Sequence, residues 1–254
     1  MIRLKSEKEI EIMKEGGKRH AFILKEVAKN VKPGVSTKSL DEIAFKLIKE
    51  GGDEPAFLNY TPEGISYPYP ASLCVSVNDE VVHGIPLEEI VLQEGDVVSL
   101  DLGLVHGGLI TDGAITVPCG KISKDAKTLI EVTKKALDSG IREAKAGNTT
   151  GDIGFAIQEF VKPYGFGIVK ILSGHGVGYS VHEDPYVPNY GKRGDGEKLV
   201  PGMVIAIEPM LNIGSGTVYG TEDEYTYITK DGSISAHFEH TVAITEKGPV
   251  VLTK

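Results

Sequence analysis

Sulfur is scarce in this 254-residue chain. Its two cysteines, Cys74 and Cys119, lie far apart and outside any CxxC pattern. That excludes a disulfide scaffold and a thiolate metal site, and it fits a reducing compartment. Positive charge is short as well: 27 Lys and Arg stand against 36 Asp and Glu, giving a formal charge of -9. The basic stripe of a nucleic-acid binder is missing, so DNA is not an expected partner. No apolar run reaches the length of a membrane span, and the opening residues MIRLKSEKEIEIM lack an apolar signal segment. The expected setting is therefore cytoplasmic and away from membranes. What remains is ordinary for a globular protein, 41% hydrophobic and 25% charged, with enough length for a sizeable core.

The chain repeats itself. Lys32-Pro-Gly34-Val-Ser-Thr37-Lys-Ser-Leu40 is echoed 113 positions later by Lys145-Ala-Gly147-Asn-Thr-Thr150-Gly-Asp-Ile153. At the same offset Leu47-Ile48 matches Phe160-Val161, and Gly52 matches Gly165. Each copy reads as a glycine turn, a hydroxyl N-cap and an amphipathic helix that ends near glycine. A second echo pairs Gly95-Asp-Val-Val-Ser-Leu-Asp101 with Gly202-Met-Val-Ile-Ala-Ile-Glu208, each a glycine, five mostly apolar residues and an acid. Two echoes in the same order point to a duplicated α/β unit. Ser6 and Glu9 form a capping box for a first helix reaching about Lys29. Further helices are expected near 37–50, 124–144 and 150–162. Strands are expected near 73–82, 96–105, 109–118, 167–172, 203–211, 225–229 and 237–245. Helices followed by strands, twice, predict an α+β fold with antiparallel strands covered by helices and the halves sharing one sheet. With no linker in sight, residues 1–254 read as a single domain with pseudo-repeats at about 6–120 and 121–250.

Strand alternation places four acids. Val98, Leu100, Leu102 and Leu104 form an apolar core face, which leaves Asp101 beside Ser99 and Gly103. Glu208 shares its side with Val204 and Ala206, against Met203, Ile205 and Ile207. Glu239 goes with Thr241 and Ala243, against Phe238, His240, Val242 and Ile244. Asp112 lies beyond the Gly107-Gly108 turn, where a hairpin returns it beside Asp101. Few Lys or Arg residues interrupt these runs. Four carboxylates in one core are prohibitive unless cations neutralise them, and two divalent ions balance four negative charges.

Among seven histidines, His175 stands out in Ser173-Gly174-His175-Gly176-Val177-Gly178, where glycines suggest close backbone approach to a ligand. His182 follows in His182-Glu-Asp-Pro, and His83 sits in Val82-His83-Gly84-Ile85-Pro86. His20, His106 and His237 carry no such signal and read as ordinary solvated histidines. His240 faces away from Glu239 and packs or hydrogen-bonds in the core. One imidazole with four carboxylates is an oxygen-rich set that favours Mn, Fe or Co, although availability can put Zn there. Paired divalent ions activate water and clamp the oxygens of a hydrolytic transition state.

The motifs VNDEVVHGIP, SLDLGLVHGGLITDGA, SGHGVGYSVHEDP, GMVIAIEPM and SAHFEHTVAIT, in this order, resemble those of type I methionine aminopeptidases of the creatinase-like, pita-bread metallopeptidases. The similarity spans nearly the whole chain. It implies an internally duplicated fold and removal of the N-terminal methionine from nascent proteins and peptides. By position, it implies that Asp101 holds one metal ion, that Asp112 and Glu239 bridge two, and that His175 and Glu208 hold the second. It further implies proton transfer by Glu208, stabilisation of the oxyanion or the scissile amide by His182, and contact with the leaving side by His83. The substrate's α-amino group would bind a metal. Tyr69, Cys74, Val181 and Tyr225 match the methionine pocket, although Cys74 fits equally well as a small core hydrophobe. Family members commonly carry a larger residue at 181 and Trp at 225, whereas this chain has no Trp, and its segment 60–67 is longer than in many relatives. A transient ribosome contact and a monomeric state are the expected associations. The rivals are an Xaa-Pro aminopeptidase or dipeptidase of the same fold and a non-catalytic relative that binds ribosomes or RNA. The first usually carries an extra N-terminal domain. The second is expected to lose ligands or gain basic extensions.

Overall fold

A computed structural model describes residues 2–254. Helix α1 (Glu7–Ala28) starts at Ser6, whose hydroxyl accepts from the Glu9 amide while the Glu9 carboxylate accepts from the Ser6 amide, the reciprocal cap read from sequence. Its inward stripe of Met13, His20, Ala21, Leu24 and Val27 recurs at helical spacing. Helix α2 (Thr37–Glu50) is capped by Ser36. Helices α3 (Lys124–Glu143) and α4 (Thr150–Val161) are capped by Ser123 and Thr149.

The centre of the first half is a hairpin of two ten-residue strands, Val97–His106 and Leu109–Pro118. Gly107 and Gly108 turn it, with φ of 58° and 80°, the doubly left-handed turn that matches strand twist and favours glycine. Its register sets Asp101 opposite Ala114 and Gly103 opposite Asp112, so both acids lie on one face, a diagonal step apart. On the opposite face Val98, Leu100, Leu102 and Leu104 join α1 and α2 in one core. A second core gathers α3 and α4 against Ile205, Ile207, Val242 and Ile244.

The strands do not make one shared sheet, as the sequence suggested. Among the described residues they form four sheets, the two largest being the four-stranded sheet around the hairpin and a five-stranded sheet holding Val204–Ile207 and His240–Thr245. The two are stitched edge to edge: Ala114 and Glu239 exchange backbone hydrogen bonds. Thr241 Oγ1 accepts from the Asp112 amide at 2.8 Å and donates to the Asp112 carbonyl at 2.7 Å. A side chain thus replaces a rung of the ladder, and the seam falls where the acids are.

Several expected strands also break. The run at 203–211 splits into Val204–Ile207 and Met210–Asn212, because Pro209 has no amide to donate. The run at 237–245 splits into Ser235–His237 and His240–Thr245, leaving Glu239 in the gap. The run at 73–82 turns at Asn78, φ 58°. Only Gly167–Ile168 of the run at 167–172 pairs, and 225–229 shrinks to Tyr227–Thr229. Strands at Glu183–Val187 and Gly248–Val251 carried no alternation that sequence reading caught. Among the described residues no helix is long and apolar enough to cross a membrane.

Candidate metal centre and active site

The polar faces of the two sheets meet at a cavity of about 690 Å³, and Asp101, Asp112, His175, Glu208 and Glu239 all line it. Each arrives on a different stretch of backbone. Asp101 and Asp112 come from the hairpin, and His175 from the short strand Gly174–Gly176. Glu208 and Glu239 follow breaks in the second sheet. His175 Nε2 lies 3.4 Å from Glu208 Oε1. Ligand atoms of Asp112, His175 and Glu239 fall within 4.8 Å of one another, as do those of Glu208, His237 and Glu239, so Glu239 belongs to both groups.

No Lys or Arg ion pair reaches any of these acids among the described residues. Asp101 Oδ1 and Glu239 Oε1 are buried without a hydrogen-bond partner. Burial pushes the carboxyl of Asp101 up to about 7 and that of Glu208 up to about 8. Burial first, then the neighbouring carboxylates, lifts Asp112 and Glu239 well above the ordinary range. Unneutralised acids with orphaned oxygens are what a cation would satisfy, and the oxygen-rich donor set with imidazole suits divalent first-row metals. The residues present therefore fit the group that the sequence implies.

The histidines are tuned the other way. Burial, then the nearby His182, lowers His175 to about 3. Burial likewise lowers His83 to about 4 and brings down His182. All three are neutral near pH 7 and act as hydrogen-bonding groups. His175 Nδ1 faces the Gly176 carbonyl at 2.9 Å, which puts the proton there and turns the Nε2 lone pair toward the acids. His83 has φ of 61°, an uncommon conformation for a residue with a side chain. His182 Nδ1 meets the Tyr60 hydroxyl at 3.0 Å.

The glycines beside His175 have a reason other than ligand approach. A Cβ on Gly174 would run into the Ala206 carbonyl, and one on Gly176 into the Asp184 carbonyl. The strand is squeezed between two neighbours, and glycine lets it pass.

Beside the acids, Tyr69, Cys74, Val181 and Tyr225 form one apolar cluster with Phe57 and Ala71. Cys74 sits opposite Asp101 in the ladder and lines the cavity, so it serves core and pocket together. Tyr225 packs edge-on against Tyr69 at 5.0 Å, and its hydroxyl donates to the Tyr67 carbonyl at 2.5 Å. Ser66 and Tyr67 bond to Glu224 and Asp223, which ties segment 60–67 over the pocket. Phe57, and the contact of Tyr60 with His182, have no signature in the sequence because both residues lie in irregular chain with no periodicity.

Of the three histidines read as ordinary, two are fully buried and the third is half-buried in an ion pair. His20 is fully buried behind the hairpin, 3.3 Å from the Gly113 carbonyl. His106 pairs with Asp53 at 2.7 Å. His237 is buried against Glu208, a placement with no signature in the sequence because its strand is three residues long. His240 bonds to Thr253 at 3.0 Å, away from the acids.

Comparison with known proteins identifies the family. The sequence model of metallopeptidase family M24 matches residues 11–246. A methionine aminopeptidase of Aquifex aeolicus is 51% identical, with 100% of this chain and 99% of the relative covered. The crystal structure of methionine aminopeptidase from Thermotoga maritima superposes with a TM-score of 0.95 at 44% identity, covering 100% of both chains. The prolidase from Pyrococcus horikoshii has a TM-score of 0.77 at 24% identity, covering 99% of this chain and 63% of the prolidase, a likeness of fold alone. With a pita-bread core, a cation-seeking acidic floor and full-length relatives of one kind, the chain belongs to metallopeptidase family M24, on the methionine aminopeptidase branch.

Proposed function

We propose that this chain removes the N-terminal methionine from peptides and nascent proteins by metal-assisted hydrolysis of the first peptide bond. The observation that carries the reading is the contiguity of two surfaces in one cavity, the acidic floor and the apolar cluster around Tyr69 and Tyr225. Residues 1–254 would act as one catalytic domain with halves at about 6–120 and 121–250. Asp101, Asp112, His175, Glu208 and Glu239 would hold two divalent ions (Co, Mn, Fe or Zn), with Asp112 and Glu239 shared between them. When bound, such ions lower the pKa of water and polarise the scissile carbonyl.

The chain's own groups do the rest. Glu208, which lines the cavity with His175 beside one oxygen and His237 beside the other, takes a proton and hands it to the leaving amine. A hydrogen bond donated by the Tyr60 hydroxyl to His182 Nδ1 leaves Nε2–H free to bond the developing oxyanion. His83, neutral and lining the same cavity, bonds the amide on the leaving side. Tyr69, Cys74, Val181 and Tyr225 enclose the methionine side chain, and the Tyr225 hydroxyl is already spent on Tyr67. Two free, buried thiols fit a cytoplasmic enzyme. We infer that it works as a monomer, meeting its substrates in transient contact with the ribosome.

The test is an assay of metal-loaded protein on Met-Ala-Ser and on Ala-Pro peptides. Free methionine from the first and little cleavage of the second is the expected result. Preferential cleavage of Ala-Pro would overturn the reading in favour of an Xaa-Pro peptidase. His182→Ala is expected to lower kcat about 10²- to 10³-fold with metal binding unchanged by calorimetry. Loss of metal in that variant would remove His182 from its assigned role.

A further inference from the structure

One imidazole at the centre has no assigned task. The His237 side chain is 2% exposed, and its Nε2 lies 3.5 Å from Glu208 Oε2 and 3.9 Å from Glu239 Oε2. Among the described residues neither ring nitrogen has a hydrogen-bond partner. The other oxygen of Glu208 faces His175. The carboxylate is thus flanked by two imidazoles, one to each oxygen.

The two imidazoles differ on their far sides. The Nδ1 proton of His175 has the Gly176 carbonyl to meet, which frees Nε2 as a lone-pair donor. His237 Nδ1 meets no acceptor. A proton on that nitrogen would be buried and unsatisfied, whereas a proton on Nε2 faces two carboxylates. The Nε2–H tautomer is therefore favoured, and the nitrogen turned toward the acids has no lone pair to give an ion. The backbone that carries the ring is pinned on both edges. Thr116 Oγ1 accepts from the His237 amide at 2.9 Å and donates to its carbonyl at 2.7 Å. On the other edge of its strand His237 pairs with Met210.

We propose that His237 is a positioning residue of the metal centre. It donates from Nε2 to Glu208 Oε2, fixes the carboxylate plane and reserves Oε1, on the His175 side, for the ion. The contact closes to a charge-assisted bond of about 2.8 Å by a small swing of the Glu208 side chain. The inference rests on the assignment of Glu208 as a ligand under the proposed function.

The test compares His237→Gln, whose amide NH₂ reaches the same place as a donor, with His237→Leu, which fills the space and donates nothing. Calorimetric titration of Mn²⁺ into metal-free protein is expected to show affinity about 10- to 100-fold weaker in His237→Leu and restored to within about threefold in His237→Gln. The kcat of His237→Leu falls by about 10-fold or more with KM little changed. Pulsed EPR of Cu²⁺-loaded protein is expected to detect one coordinated imidazole in the parent and in both variants. Two imidazoles in the parent with one lost in each variant would make His237 a ligand and overturn the proposal, leaving the metal centre itself intact. Unchanged affinity and turnover in His237→Leu would overturn it too. Should His237→Leu not fold, long-range ¹H–¹⁵N spectra of the parent loaded with diamagnetic Zn²⁺, in which the ion keeps Glu208 ionised, decide: a proton on His237 Nε2 supports the proposal and one on Nδ1 sinks it. A parent that binds no Mn²⁺ would instead defeat the underlying assignment of the five ligands.

Discussion

Replacing Glu208 by Gln is expected to cut turnover of a Met-Ala-Ser peptide by about 10³-fold or more. The substitution keeps shape and volume, so the effect reports chemistry. The carboxylate has His175 3.4 Å from one oxygen and His237 3.5 Å from the other. Gln loses a negative charge that balances the ions and a group that accepts and passes on a proton. A neutral amide also relieves repulsion among the remaining acids when no metal is bound. The metal-free variant is therefore expected to melt at a higher temperature than the metal-free parent at pH 8, while calorimetry shows one ion bound more weakly. Activity and stability move in opposite directions. Retained turnover would remove Glu208 from the chemistry, and a lower melting temperature would show that its role is structural.

Chelation is expected to leave a protein that becomes less stable as the pH rises from 6.5 to 8.5. Asp101 and Glu208 hold protons up to about 7 and 8 in the folded chain, and Asp112 and Glu239 hold theirs to well above the ordinary range. In the unfolded chain all four ionise near pH 4. Across this window the folded state binds more protons than the unfolded state, so raising the pH favours unfolding. Unfolded histidines shed their remaining protons just above pH 6.5, which offsets part of this slope, and above about pH 7.5 the carboxylates alone decide. Below pH 6.5, His20, His83 and His175, lowered by burial, draw protons only on unfolding, so stability falls on the acid side too. Asp101 and Glu208 alone lose about 3 kcal/mol between pH 6.5 and 8.5, and Asp112 and Glu239 add to that, so Tm falls by on the order of 10 °C for a chain of this length. Adding Mn²⁺ or Co²⁺ is expected to reverse the slope, because the ions compete with protons and bind more tightly as pH rises. Scanning calorimetry with and without chelator measures both slopes. A chelated protein that is more stable at pH 8.5 than at pH 6.5 would mean that the acids are neutralised within the chain.

The amino-acid sequence by itself determined the helices, their caps and the side of each strand on which Asp101, Glu208 and Glu239 fall. These features depend on neighbours a few residues away: a hydroxyl three positions before an amide, or alternation with a period of two. Arg- and Lys-poor runs around four acids likewise announced a cation-binding core before any pairing was known. Only the tertiary structure decided how those faces meet. The seam through Ala114, Glu239 and Thr241 divides the expected single sheet. The glycines around His175 answer to adjacent strands. Tyr60 reaches His182 across 122 positions, and His237 comes to rest against Glu208 from a separate short strand. Such contacts are fixed by the packing of two cores against each other, a long-range free-energy balance that leaves no periodic trace in the residues that make them.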